Sequence, residues 1–276
     1  MMKMLSNLSF NSLTAAIFTA VFLVPGLLYA QELTFERGEP PTPEMLMNVR
    51  ETFEYEVRYG FFTLGWVDVE LLPDTTYNGE PVHHMRTKIR SNRRVPFVGT
   101  RIVNYESLFS YNNDFFFSHL FWRDDIHDEE YETAIIEFDR ETMEVRFFEE
   151  GEPADTLELV DPASGGDIVF FHSRMFAGIE ERYDLNVYIE NEKSSLTAVS
   201  RPDIEMRSYD AFDGDVETYR SEGTTDADGP FGFTGRFRSW FLTDDLRVPV
   251  EAHVRVIFGN VRVRLISYER SEISNE

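Results

Sequence analysis

The sequence predicts a mainly β chain: a large antiparallel curved sheet, or an open barrel or sandwich, with one central helix at about 167–178. Three observations predict it. Apolar Phe53, Tyr55, Val57 and Tyr59 alternate with polar Glu54, Glu56 and Arg58, the period-two pattern of a half-buried strand. Turn signals then recur at roughly ten-residue spacing, as in antiparallel sandwiches and barrels. Only Asp167-Ile-Val-Phe-Phe-His-Ser-Arg-Met-Phe-Ala-Gly178 reads as a helix, with Ile168, Phe171 and Met175 on one face.

The elements follow in order. Residues 1–30 have the layout of a secretory signal peptide. Lys3 is their one charge, Ala15–Val24 is an apolar run, Pro25-Gly26 interrupts it, and Ala30 precedes the expected cut. Residues 31–50, with Pro40, Pro41 and Pro43, read as an extended arm, and 51–270 as a single β-rich domain. After the 53–59 strand, Phe62–Leu72 makes a second, with Gly65 marking a bulge. Asn78-Gly79 signals a hairpin, and Val82–Ser91 returns from it. Strands are expected at 101–111, 115–123, 131–138, 143–149 and 155–160. The 161–166 loop is the best joint between two halves of one sheet. Asp167 can cap the helix and Gly178 can end it. Strands follow at 183–191, 194–201 and 204–220, and three more between Gly235 and Leu265 close the domain.

Composition narrows the function. The net charge is −24, so nucleic acid is excluded as a partner by phosphate repulsion. Lysine occurs only at 3, 88 and 193. The acidic, lysine-poor surface suits a salty habitat, where screening offsets self-repulsion. With no cysteine, disulfides and a lipidated mature cysteine are both excluded. Stability must come from a packed core, for which 25 phenylalanines supply material.

Two stretches resemble a known family. Tyr55-Glu-Val-Arg-Tyr-Gly60 followed by Leu64-Gly65-Trp-Val67 resembles the opening of the bacterial envelope proteins classed as domain of unknown function 3108. Trp240-Phe-Leu-Thr-Asp-Asp-Leu-Arg-Val-Pro-Val250 followed by Phe258-Gly259 is similar to that family's close. The resemblance spans about residues 50–268, with its specific motifs at the two ends. It implies a secreted or periplasmic β-rich protein with no established catalytic residues. The general shape is similar to that of curved-sheet lipoprotein carriers.

Several constellations are candidates for chemistry. Arg236 and Arg238, Arg255, and Arg262 and Arg264 fall on one face of the last three strands. They can bind an anionic head group, while Val254, Val261, Val263 and Leu265 face a core or a ligand. A second basic cluster (Arg86, Lys88, Arg90, Arg93, Arg94, Arg101) surrounds the apolar tip Val95-Pro96-Phe97-Val98, a candidate interaction loop for a partner or a membrane surface. Asp124, Asp125, His127 and Asp128 form an acidic run that matches neither calcium nor zinc spacing. It reads as a charged hairpin tip. No nucleophile or phosphate-loop motif is present, and no catalytic, cofactor or metal residues are expected.

The expected function is therefore a non-enzymatic periplasmic or secreted protein that binds or carries an apolar or amphiphilic envelope ligand, lipid-like or anionic, with peripheral membrane contact as a further option. The alternatives are a structural or interaction protein of the envelope and, third, an envelope-polymer hydrolase.

Overall fold

Turn chemistry sets the strand pairing. Asn78 and Gly79 have φ of +51° and +88°, the left-handed pair that matches the twist of a two-residue hairpin. Tyr77 accordingly pairs with Glu80 across the turn. In the computed structural model, which describes residues 37–95, 99–127, 130–229, 233–256 and 259–273, such hairpins succeed one another along most of the chain. The first half holds β1 (Val49–Tyr59), β2 (Phe62–Tyr77), β3 (Glu80–Ser91), β4 (Arg101–Tyr111), β5 (Phe116–His127), β6 (Glu130–Asp139), β7 (Glu144–Glu149) and β8 (Glu152–Glu158). The second holds β9 (Ala163–Ser164), β10 (Arg182–Ile189), β11 (Glu192–Ser208), β12 (Asp215–Gly229), β13 (Phe233–Leu242), β14 (Pro249–Val256) and β15 (Gly259–Glu272).

Among the described residues these form one curved, unclosed sheet in the order β8 to β1, then β15 to β9. Neighbours are antiparallel except β9 and β10. The 159–162 segment thus carries the chain from one edge of the sheet to the other. The edges are tied there: Tyr188 Oη donates to Glu158 O at 2.7 Å and accepts from Val160 N at 3.0 Å, and Asn186 Nδ2 donates to Val160 O at 2.8 Å.

The concave face is filled by the protein itself. Phe53, Tyr55, Leu71, Met85, Phe109, Val250 and Leu265 from the strands meet Ile168 and Phe171 from the central segment. The Phe171 ring lies 5.5 Å from Phe109 and 5.7 Å from Phe116. Burial of this kind contributes roughly 1.5–3 kcal/mol per large apolar side chain.

Some expectations change. The central segment is an α-helix of four residues, α2 (Val169–His172), continued by a 3₁₀ turn, Ser173–Phe176. Asp167 does not cap it; its Oδ1 accepts from Ile168 N at 2.9 Å, one residue before the helix. The segment ends where the backbone turns extended at Ala177, with φ of −68° and ψ of 124°. Within the expected arm, Pro43–Met47 forms another helix, α1, capped by Thr42, which buries Leu46 and Met47. The expected 204–220 strand contains a turn: β11 ends at Ser208 and β12 starts at Asp215. Pro249 sits at the first position of an interior strand, where a missing N–H is tolerated. The expected signal peptide, residues 1–30, lies outside the described residues. Among those described, no helix is long and apolar enough to cross a membrane.

Candidate functional site

The five arginines singled out by the sequence come together on the convex face. Across neighbouring strands Arg58 faces Arg262, Arg262 faces His253, and His253 faces Arg238. Arg255 lies opposite Asn260 and Arg236 opposite Thr224. Arg264 lies opposite Glu251, stacks on Tyr209 at 5.1 Å and donates to Ser208 O. Glu251 is the buried centre of this face. Burial pushes its carboxyl up, but hydrogen bonds from His253 (2.6 Å) and Arg207 (2.7 Å) outweigh that and hold it at about 2. The opposite side of β15 is core: Val261 and Leu265 are buried and Val263 packs against the cluster that holds Leu265. Arginines and valines therefore serve two different faces and cannot share one ligand.

The candidate interaction loop divides. Val95 is buried rather than exposed, because its backbone N–H turns back to Asn92 O at 3.0 Å and carries it inward. Pro96, Phe97 and Val98 lie outside the described residues. Of the basic cluster around it, Arg86 pairs with Glu106, Arg90 with Asp68 and Arg101 with buried Asp125. Asp124 accepts from Tyr131 Oη at 2.9 Å, on the face opposite Asp125. Asp128 lies outside the described residues. No group of three metal-ligating side chains occurs among those described.

An open cleft is the concavity that sequence reasoning missed. It encloses about 250 Å³ where the turn after β10 crosses the inner face of β4 to β7. Its walls are Tyr105, Phe121, Ile136, Phe147 and Ile189, and its mouth carries Arg123, Glu149, Glu190 and Asn191. Alternation puts these residues together: Tyr105 faces Arg123, Arg123 faces Ala134, and Ala134 faces Glu149. Glu190 and Asn191 reach the mouth by a tight turn in which both adopt positive φ, +50° and +61°.

The polar groups there are only partly matched. Arg123 Nη1 meets Glu190 Oε1 at 3.3 Å, and Asn191 Nδ2 donates to Glu149 Oε1 at 2.5 Å. Arg123 Nε is buried and has no acceptor among the described residues. Burial pushes the Tyr105 phenol up to about 12, against the pull of Arg123 and Arg101. The cleft offers an apolar lining, one unmatched donor and two carboxylates at its mouth.

A second polar group lies sealed in the core. Arg174 is wholly buried and forks onto Glu51 at 2.7 and 2.9 Å, while its Nε donates to Leu246 O at 2.8 Å. Tyr268 Oη donates to the same carboxylate at 2.8 Å. Burial lifts Asp167 and Asp244 to about 6 each, and each leaves Oδ2 without a partner among the described residues. Neither carboxylate lines the cleft. The signal for Arg174 was present as a lone cation among apolar residues 168–176; nothing local marked Glu51 as its partner.

Comparison with known proteins gives a fold. A β-barrel-like protein of domain of unknown function DUF1849 from Brucella abortus, known from its crystal structure, superimposes with a TM-score of 0.50 at 11% identity. The match covers 82% of this chain and 99% of that one. At this identity the likeness is one of architecture alone, and it agrees with the mainly β, curved-sheet class. No family model and no curated protein matches the chain.

Proposed function

We propose that the protein is a non-enzymatic binding or carrier protein of the bacterial envelope, exported by its N-terminal segment, and that the cleft under β10 holds the tail of an amphiphile. The observation that carries this reading is the buried Arg123 Nε, a donor without an acceptor at the end of an apolar cleft. Leaving such a donor unmatched costs about 1–3 kcal/mol, which a ligand oxygen would recover. The volume lies just below the usual range for drug-sized ligands, about 300–1,000 Å³, and suits a single apolar chain. Glu149 and Glu190 repel an anionic head at the mouth, so the head group that fits is an uncharged acceptor such as an ester or amide. The lining holds no serine, cysteine or histidine, which favours binding over hydrolysis. The likeness of the chain's two ends to the domain of unknown function 3108 family supports an envelope location.

Lipid extraction and native mass spectrometry of the purified protein test the reading. An acyl ester or amide is expected to co-purify with the parent. Ala134→Trp, which fills the cleft from a half-buried position, is expected to abolish it while leaving the melting temperature nearly unchanged. Absence of any such ligand, together with acyl-probe binding that ignores Ala134→Trp, would overturn the proposal.

A further inference from the structure

The β1–β2, β7–β8 and β10–β11 turns lie at one rim of the sheet with the ends of β3 and β14, as antiparallel order requires. The β1–β2 turn stands out among them. Tyr59 pairs with Phe62 across Gly60-Phe61. Phe61 is 97% exposed and Phe62 52%, and Tyr59 is exposed beside them. Exposed aromatics normally occur singly; here three crowd one two-residue turn. Gly60 has φ of +56° with open space around it, so the turn projects freely.

Behind this tip the convex face carries a group of arginines. Arg58 is opposite Arg262, a like-charge cross-strand pair that weakens a sheet. Arg238 and Arg262 are 59% and 50% exposed, and Arg236 and Arg255 are exposed with no ion pair among the described residues. On the other side of the tip, Arg93 and Arg94 are exposed around Trp66 and share a concavity with it. The acids among them are Glu54, Glu56, Asp68, Glu222 and the buried Glu251, each in contact with an arginine. In a protein of net charge −24, such a collar works against fold stability and invites an anionic partner. By sequence, the connections after β3, β12 and β14 also contain phenylalanine (Phe97, Phe231, Phe258); these lie outside the described residues, and the patch consists here of Tyr59, Phe61 and Phe62 alone.

We infer that this rim sector docks on an anionic phospholipid surface. Phe61 and Phe62 enter the head-group and acyl boundary, Tyr59 and Trp66 sit at the interface, and the arginine collar meets lipid phosphates. A soluble polyanion would use the arginines but has no use for three aromatics at the tip. The mouth of the cleft, at Glu149, Glu190 and Asn191, opens at the same rim but in its acidic sector. Docking therefore holds the basic sector down and leaves the mouth beside the membrane.

Vesicle flotation of the full chain decides the matter, with phosphatidylcholine vesicles compared against phosphatidylcholine containing phosphatidylglycerol. Every variant carries the same N-terminus, so residues 1–30 contribute equally to each. Binding to the anionic vesicles only is expected. Each of Arg58→Ala and Arg262→Ala should weaken it about fivefold, and Phe61→Ser should weaken it at least as much. Phe61 is almost wholly exposed, so its loss leaves the fold intact, which circular dichroism checks. Met206→Ser, an exposed apolar residue elsewhere, should change nothing. The inference fails if anionic vesicles are not bound or if Phe61→Ser binds as the parent does. It also fails if soluble polyphosphate binds equally well to the parent and to Phe61→Ser. None of these outcomes bears on co-purification of a ligand in the cleft.

Discussion

Asp167 shows how one buried carboxyl shapes stability. Its folded value of about 6 lies above the ordinary 3.8, because burial penalises the charged form more than the nearby backbone N–H groups favour it. A group whose folded value is raised stabilises most below its unfolded value and loses that contribution as pH rises towards 6. At pH 7 the penalty is about 3 kcal/mol. Asp167→Asn keeps the acceptor for Ile168 N and brings a donor towards Ser107 Oγ, which has no partner among the described residues. Urea unfolding should show parent and variant nearly equal at pH 4, with the variant more stable at pH 7 by up to about 3 kcal/mol. Equal stability at both pH values would mean that the carboxyl ionises freely. His172 acts oppositely: burial lowers it to about 4, so its contribution is lost as pH falls from 6.5 to 4. That term is common to parent and variant and cancels in their difference.

At the scale of elements, the turn between β13 and β14 hangs on one side chain. Arg247 adopts φ of +51°, a left-handed position costing about 1 kcal/mol for a residue with Cβ. Its guanidinium donates to Ala177 O at 3.0 Å, Thr243 O at 2.8 Å, Gly38 O at 2.6 Å and also Asp244 O, and it stacks on Tyr219. These carbonyls come from three separate stretches, so one arginine ties the N-terminal arm, the central segment and the turn. Arg247→Gly relieves the backbone but orphans buried carbonyls, and should destabilise by about 3 kcal/mol or more. Arg247→Ala should cost about 1 kcal/mol beyond that. Denaturant melts that ranked alanine above glycine would show that the backbone is not strained there.

The strands were legible because alternation and turn signals such as Asn78-Gly79 are local. Expected 101–111 coincides with β4, and 131–138 falls within β6. The sequence shows Arg247 within the closing stretch Trp240–Val250 but not its four carbonyl partners, which lie up to 209 residues away in sequence. The arginine row was legible as a shared face, since residues two apart on a strand project together. Its separation from any apolar ligand was not, because only packing shows that Val261 and Leu265 belong to the core. The cleft left no trace at all. It depends on the turn after β10 crossing strands β4 to β7, a contact between opposite halves of the chain.

The whole molecule divides its charge unevenly, with 50 acids against 26 lysines and arginines. It also divides its chain unevenly. β1 and β15 are neighbours in the middle of the sheet, and their pairing, from Val49 with Glu272 onward, spans the longest sequence separations in the fold. The seam crossed by residues 159–162 lies instead at the two free edges. Read from β9 through β15 and then from β1 through β8, every strand lies beside its successor. From β10 onward the protein is thus topologically a plain meander whose ends have been moved to its middle, with β9 added in parallel at one edge. A circular permutant that links the residues after β15 to those before α1, and opens the chain within 159–162, should keep every strand pair. It should also fold faster, since the most distant pairing becomes a local hairpin. Stopped-flow refolding beside the parent would show it; a permutant that collapsed without native circular dichroism would mean that the strap across the seam, not the meander, sets the curvature of the sheet.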